Sequence, residues 1–168
     1  MAKRKKQMQV LITGGLGYLG GRLAHHLLEQ GQNVHVGTRK KLKTVKEPLS
    51  DAVPVQMDWA NCISLESATK GMDVVVHTAG MDAQACSANP TKAIEVNALN
   101  TAMMVDAAIA NKVQRFIYIS TAHVYRSPMI GDIDETTPST NLHTYATSKI
   151  AGENVVLYAN SLMNIQYR

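Results

Sequence analysis

The chain has 168 residues, of which 45% are hydrophobic and 18% charged, a composition typical of an ordinary globular domain. Its formal net charge of +4 comes from four basic residues at positions 3–6, since the remainder has 13 basic and 13 acidic residues, so nucleic-acid binding has no support beyond a short tail. No apolar run approaches the roughly 18 residues that a membrane span requires.

These properties predict one domain over residues 8–168, preceded by a basic disordered tail over residues 1–7. Cys62 and Cys86 form neither a metal motif nor a disulfide framework, which favours a reduced, cytoplasmic setting. The histidines are scattered, so we expect no metal site. Among partners we expect no nucleic acid and no membrane, and we leave self-association as a homodimer open.

Short β-branched runs alternate with helical patterns along the chain. Strands are predicted over residues 9–12, 33–38, 52–57, 73–77 and 116–120, with a sixth beginning at 164–168. Helices are predicted over residues 18–30, from about 89 to 111, and from 144 to about 160. This alternation, with strands buried on both faces, predicts an α/β fold: a Rossmann-like, doubly wound parallel sheet of about six strands with helices on both faces.

Two of the predicted helices carry recognisable boundary signals. In the first, Leu19, Leu23, Leu27 and Leu28 are expected on one buried face, and Gly31 is expected to end the helix. The second is expected to start at Asn89 as the N-cap, followed by a proline at the first helical position.

A glycine-rich segment, Thr13–Gly20, connects the first strand to the first helix. Such a loop turns tightly and lets backbone amides approach a pyrophosphate at the N-terminus of the helix. We therefore predict dinucleotide contacts from Gly14, Gly17, Tyr18 and Leu19. A turn without a ligand and a flavin site are the alternatives.

The end of the second strand predicts which dinucleotide is preferred. An acid there would accept from a ribose 2′-hydroxyl, whereas Arg39, which this chain carries, suits a 2′-phosphate. NADP is thus predicted as the preferred cofactor, with NAD as the alternative, and a basic surface loop is the plain interpretation of the same residues. Asp58, after the third strand, is a candidate partner of the adenine amine or an ordinary surface aspartate.

Tyr145 and Lys149 are four residues apart on a predicted helix and therefore share a face. An ordinary tyrosine has a pKa near 10, and a neighbouring ammonium favours the phenolate, which makes a better acid-base catalyst near neutral pH. Thr121, at the end of the fifth strand, offers a hydroxyl to the same reacting oxygen. His123 is either a residue of the substrate side or simply a half-exposed polar residue.

Together these motifs resemble the extended short-chain dehydrogenase/reductase family, specifically its NAD(P)-dependent epimerase/dehydratase branch. The matching segments are the glycine loop, His77–Gly80, Val96–Thr101, Ser120–Tyr125 and Tyr145–Lys149. The resemblance implies an enzyme with Thr121 as the hydroxyl of a triad, Tyr145 as acid/base and Lys149 as its activator and a ribose ligand. It further implies cofactor contacts at Ala79 and Asn97.

Three features depart from the family pattern. Arg126 stands where a glycine usually follows the valine and tyrosine, and Ala122 and His123 replace the acidic pair of 4,6-dehydratases. The chain also has about half the usual length, so we expect a part of a longer enzyme that binds cofactor but turns over little by itself. A natural short form completed by oligomerisation is the alternative.

The resemblance implies an NAD(P)-dependent oxidoreductase or epimerase acting by hydride transfer, with a nucleotide-activated sugar as its substrate. Two alternatives remain open: a non-catalytic NADP-binding module, and a reductase or dehydrogenase of a steroid-like alcohol.

Overall fold

The computed structural model describes residues 7–126 and 128–163. Within them, five parallel strands form one sheet in the order β3-β2-β1-β4-β5. The strands are β1 (Gln9–Thr13), β2 (Asn33–Thr38), β3 (Val53–Gln56), β4 (Val74–His77) and β5 (Arg115–Tyr118). After β3 the chain crosses to the other side of β1, so the direction of winding changes between β1 and β4. Doubly wound sheets bind ligands at such a switch point.

The sheet is covered by helices and short helical turns. They are α1 (Tyr18–Glu29), α2 (Cys62–Thr69), α3 (Ala83–Ala88), α4 (Pro90–Ile94), a π-helical turn (Glu95–Leu99), α5 (Asn100–Ala110), a 3₁₀ turn (Ala122–Val124) and α6 (Thr144–Met163). Across residues 7–126 and 128–163, none of the helices is long and apolar enough to cross a membrane.

Two hydrophobic cores lie on the two faces of the sheet. In one, Leu11, Val75 and Phe116 pack with Leu65 of α2 and Met104 of α5. In the other, the alternate residues of β1 and β2 pack against α1 through the fully buried Ala24. Because the central strands are covered on both faces, most of their β-branched residues are buried, as the sequence predicts. The predicted α/β, Rossmann-like class is confirmed.

The predicted strands differ from the observed ones by at most two residues at either end. The predicted sixth strand, at 164–168, lies outside the described residues. The predicted end of α1 is confirmed: Gly31 has φ +73°, and its N–H donates to Leu28 O at 2.8 Å while that of Gln32 donates to Leu27 O at 3.0 Å.

Three sequence predictions about helices need correction. The helix predicted from 89 to 111 runs unbroken between those residues but is not α-helical throughout, because the π-helical turn lies between α4 and α5. Helices α2 and α3 were not predicted at all. Leu19 is 51% exposed and does not share the buried face of α1, where Leu23, Leu27 and Leu28 pack against the core.

Candidate active site

A cleft of about 930 Å³ opens at the carboxyl ends of β1 to β4. Its floor is the glycine loop after β1, including Gly14 and Gly17. One wall comes from the ends of β2 and β3, and the opposite wall comes from the segment after β4 and the start of α4. The cleft therefore lies at the switch point of the sheet, where the fold places a ligand.

The glycines of the loop have different physical reasons for being glycine. Gly14 has φ +67°, and a Cβ there would lie 2.9 Å from the backbone nitrogen of Ala79. A Cβ at Gly20 would lie 2.5 Å from Gly14 O, so both residues are required by close packing within the protein. Gly17 is different, since a Cβ there has only Gly14 O within 4 Å, at 3.2 Å. Gly17 lines the cleft, so its missing side chain chiefly leaves room for a ligand.

The N-terminus of α1 lacks the side-chain cap that α2, α3 and α4 possess. Asn61, Asp82 and Asn89 each accept a hydrogen bond from a first-turn N–H of α2, α3 and α4 respectively. At α1 the N-cap is Gly17, and its first turn contains no acid. These uncapped N–H groups and the positive end of the helix dipole suit an anionic group in the cleft. The residues present therefore fit the pyrophosphate of a dinucleotide.

Two charged residues lie at the wall of the cleft that the ends of β2 and β3 form. Arg39 and Asp58 follow β2 and β3, and both are exposed and line the cleft. Asp58 accepts from the N–H of Ala60 at 3.0 Å. The side chains of Arg39 and Asp58 are thus accessible to a ligand.

Behind the floor of the cleft, His77 is buried at the end of β4. Its Nδ1 lies 2.6 Å from Thr13 Oγ1 and its Nε2 lies 3.1 Å from Thr101 Oγ1, which ties β1, β4 and α5 together. Burial, together with the charge of Lys149, lowers the pKa of His77 from 6.5 to about 3. The ring is therefore neutral across the physiological range.

Asn97, in the π-helical turn, is buried at the centre of a polar network. Its Oδ1 accepts from the N–H of Met81 at 2.7 Å, and its Nδ2 donates to Ser148 Oγ at 3.0 Å. Ser148 in turn donates to Tyr145 O at 2.8 Å. Asn97 thus connects the cleft wall after β4 to the first turns of α6.

Lys149 is 5% exposed and points toward the end of β5. Its ammonium donates to Ile119 O at 2.7 Å and lies 4.0 Å from the centre of the Tyr118 ring. Burial lowers the pKa of Lys149 from 10.5 to about 8, partly offset by the charge of Glu153. The side chain therefore remains mostly protonated at neutral pH and loses its proton in the mildly alkaline range.

Thr121 and Tyr145 come from different elements, the turn after β5 and the first turn of α6. Thr121 begins the 3₁₀ turn after β5, and its Oγ1 accepts from the N–H of His123 at 3.3 Å. The ring of His123 lies 6.5 Å from that of half-buried Tyr145, edge to face. The exposed His123 therefore lies beside the tyrosine.

The sequence profile of the NAD dependent epimerase/dehydratase family matches residues 10–168. The chain belongs to this family. The resemblance identified from the motifs is thereby confirmed, and so is the expectation of an enzyme family, because its members include sugar-nucleotide epimerases and dehydratases.

Individual relatives in the epimerase/dehydratase family act on different classes of molecule. The chain is 28% identical over 163 residues to UDP-glucose 4-epimerase of Halalkalibacterium halodurans, covering 95% of this chain and 48% of the relative. It is 28% identical over 162 residues to mouse 3 beta-hydroxysteroid dehydrogenase type 7, covering 89% and 44%. The chain spans about half the length of the curated relatives it matches.

A solved structure shares the fold of this family member. DesIV, a dTDP-glucose 4,6-dehydratase from Streptomyces venezuelae solved with NAD bound, aligns with a TM-score of 0.85 and 24% identity. The alignment covers 96% of this chain and 54% of that one. This likeness shows that the chain shares the fold of about half of that protein.

The structure separates the site residues predicted for this family member into two groups. Gly14, Gly17, Arg39, Asp58 and Ala79 line the cleft. The others do not line it: Tyr18 and Leu19 have exposed side chains, Asn97 and Lys149 are buried, and Thr121 and Tyr145 lie beyond the end of β5. Their roles in binding and catalysis stay predictions.

Several residues of the site were not identified from sequence patterns. Met81, Lys92 and Glu95 line the cleft without matching any phosphate-binding pattern. Trp59 also lines it, and this is the chain's one tryptophan, directly after a predicted strand and a candidate acid, which could have identified it. Ser148 is fully buried between Asn97 and Tyr145, a position that only packing reveals.

Proposed function

We propose that the chain is the dinucleotide-binding and catalytic part of an NAD(P)-dependent oxidoreductase or epimerase that acts on a nucleotide-activated sugar. The uncapped, glycine-lined N-terminus of α1 at the floor of the cleft carries the proposal. When bound, the nicotinamide supplies reversible hydride transfer.

The residues near β5 supply the proton chemistry in this proposal. Tyr145 exchanges a proton with the reacting hydroxyl, and Thr121 hydrogen-bonds the same oxygen. Lys149 carries a positive charge one helical turn from Tyr145, where it stabilises negative charge that develops on the phenol oxygen during proton transfer. Its pKa of about 8 makes this assistance weaken in alkaline solution.

We further propose that NADP is preferred over NAD. Arg39 is exposed at the cleft and follows β2, where an acid would instead accept from a ribose 2′-hydroxyl. Calorimetric titration with each dinucleotide tests this. Arg39→Asp should reverse the preference, and equal or tighter NAD binding by the unaltered chain would contradict it.

The reaction is not expected to include 4,6-dehydration. Ala122 and His123 occupy the turn after Thr121, so no carboxylic pair is present there to protonate a leaving hydroxyl and abstract a proton. Formation of a 4-keto-6-deoxy sugar nucleotide from dTDP-glucose would refute this expectation.

Two alanine substitutions in the same region test the cleft itself. A Cβ at Gly17 enters the cleft, whereas a Cβ at Gly21 meets its nearest atom at an ordinary 3.5 Å and does not line the cleft. Gly17→Ala should weaken dinucleotide binding at least tenfold, and Gly21→Ala should leave it unchanged. Equal dinucleotide affinity of the unaltered chain, Gly17→Ala and Gly21→Ala would show that the pyrophosphate does not bind beside Gly17.

A steroid-like alcohol is the second candidate substrate, favoured by the similarity to the mouse 3 beta-hydroxysteroid dehydrogenase. Assays with UDP-glucose and with a 3β-hydroxysteroid, each with both dinucleotides, separate the two. Reduction of cofactor by the steroid, with neither cofactor reduction nor an epimerised product from UDP-glucose, would replace the sugar proposal.

A further inference from the structure

A continuous series of hydrogen bonds joins Thr121 to Tyr145. The N–H of His123 donates to Thr121 Oγ1, and Asn141 Nδ2 donates to His123 O at 2.7 Å. The N–H of His143 then donates to Asn141 Oδ1 at 3.0 Å, and the N–H of Tyr145 donates to His143 Nδ1 at 3.1 Å. The two residues proposed to contact the reacting oxygen are thus linked through Asn141 and His143.

Both ring nitrogens of His143 have hydrogen-bond partners, and both partners are consistent with the same tautomer. Because Nδ1 accepts from Tyr145, a neutral ring carries its proton on Nε2, which lies 2.9 Å from Ser87 Oγ. Ser87 directs its own proton to Ala83 O at 3.1 Å and so can accept from the ring. His143 therefore binds the first turn of α6 on one side and α3 on the other.

Hydrogen bonds are the main anchor of this part of the chain, because the segment before α6 has almost no buried side chains. None of the residues 128–143 is buried, and Leu142 is 91% exposed. The segment is held to the turn after β5 by backbone hydrogen bonds from Thr140 to Tyr125 O at 2.9 Å and from Asn141 to Val124 O at 3.2 Å. The position of Tyr145 at the start of α6 then depends on the contacts that follow.

We propose that His143 is a positioning residue that fixes Tyr145 relative to the turn that carries Thr121, capping α6 through Nδ1 and tying it to α3 through Nε2. This inference rests on the proposed role of Tyr145. Neither contact requires His143 to touch substrate or cofactor.

Substitutions at position 143 separate the two contacts. The side-chain oxygen of asparagine can take the place of Nδ1, whereas the longer glutamine amide reaches toward Ser87 in place of Nε2. The readouts on the full chain are amide hydrogen exchange of Tyr145 and the fluorine resonance of 3-fluorotyrosine at 145, assigned with Tyr145→Phe. The amide of Val156, buried farther along α6, reports general destabilisation of the helix.

The expected results follow from which hydrogen bond each variant keeps. His143→Ala and His143→Gln should speed exchange of the Tyr145 amide about tenfold, the effect of losing one net hydrogen bond, while His143→Asn stays within about twofold. His143→Ala should also shift the fluorine resonance of residue 145, and Ser87→Ala should shift it in the same direction. The Val156 amide should not change, and His26→Ala, at an exposed histidine of α1, should alter none of these signals.

Three outcomes would overturn the inference: unchanged Tyr145 signals in His143→Ala, exchange in His143→Asn as fast as in His143→Ala, or equal acceleration at Val156. If a variant at 143 does not fold, Ser87→Ala decides alone, and an unchanged fluorine resonance rejects the tie to α3. Failure of the unaltered chain to bind NAD or NADP would instead count against the proposed function, since none of these readouts requires cofactor.

Discussion

Tyr145 and Lys149 share one face of α6 but are held by different neighbours. Lys149 is buried against Ile119 O and the Tyr118 ring, whereas Tyr145 is half-buried beside His123. Replacing the buried Lys149 therefore removes contacts to neighbouring residues, whereas replacing the half-buried Tyr145 phenol removes few. Their substitutions should therefore have separable effects.

Tyr145→Phe should abolish any turnover and leave dinucleotide affinity nearly unchanged, because the phenol acts on substrate in the proposed mechanism. Lys149→Met should lower both, because the proposed mechanism assigns the ammonium to the tyrosine and to the nicotinamide ribose. Turnover assays with UDP-glucose and calorimetric titration with NADP measure the two effects. Retention of most activity by Tyr145→Phe would show that the assigned mechanism is wrong.

His77 should make the protein sensitive to acid. Its pKa is about 3 in the folded chain and 6.5 in the unfolded chain, so the unfolded chain gains a proton as pH falls through this interval and the folded chain does not. Stability present above pH 6.5 is then lost toward pH 3, by about 3 kcal/mol at pH 4.

Urea unfolding at pH 7 and at pH 4 measures this loss, with His77→Gln as the comparison. The variant has no proton to take up at this position and should lose correspondingly less stability between the two values. If the free energy of unfolding falls equally in both chains between pH 7 and pH 4, groups other than His77 cause the acid sensitivity.

At the scale of elements, α6 is packed unusually close to β5 and the π-helical turn. A Cβ at Gly152 would lie 2.5 Å from Tyr118 Oη and 2.8 Å from Asn97 O. Glycine in a helix normally costs about 1 kcal/mol relative to alanine, so replacing it usually stabilises. At Gly152 the short contact distances mean that a Cβ should lower the stability of the fold instead.

Gly152→Ala should destabilise the fold by about 1–3 kcal/mol, the usual cost of overpacking a core. Gly21→Ala, also within a helix but with its nearest contact at 3.5 Å, should instead stabilise by about 0.5–1 kcal/mol. Denaturant unfolding of both variants tests the contrast. A Gly152→Ala chain as stable as the original would mean that α6 shifts freely.

The same elements show what the sequence could and could not reveal. The strands were predictable because parallel strands buried on both faces need continuous β-branched runs, as in Val74–Val76. Helices α2 and α3 were missed although Asn61 and Asp82 are caps like the recognised Asn89. The π-helical turn depends on packing around Asn97, and the contacts of His143 join residues 56 positions apart, which no local pattern encodes.

For the whole molecule, dinucleotide binding should raise the melting temperature. A ligand that binds only the folded state at 100 times its Kd adds about 2.7 kcal/mol, which for a domain of this size raises Tm by about 5–10 °C. Thermal scans with NADP, NAD and no ligand measure this. In Gly17→Ala, whose binding is expected to be at least tenfold weaker, the rise at the same ligand concentration should be about half as large or smaller. A rise of the same size in that variant would place the ligand elsewhere.

The glycine that begins α1 has a consequence for the life of the protein in a cell. Because Gly17 offers no cap, the dinucleotide of the proposed complex would itself complete the end of this helix, and the chain without it should be the less stable form. Proteases act on chains that open, so the abundance of the protein should follow the supply of its cofactor. A starved cell would then lose this activity by degradation as well as by lack of reactant.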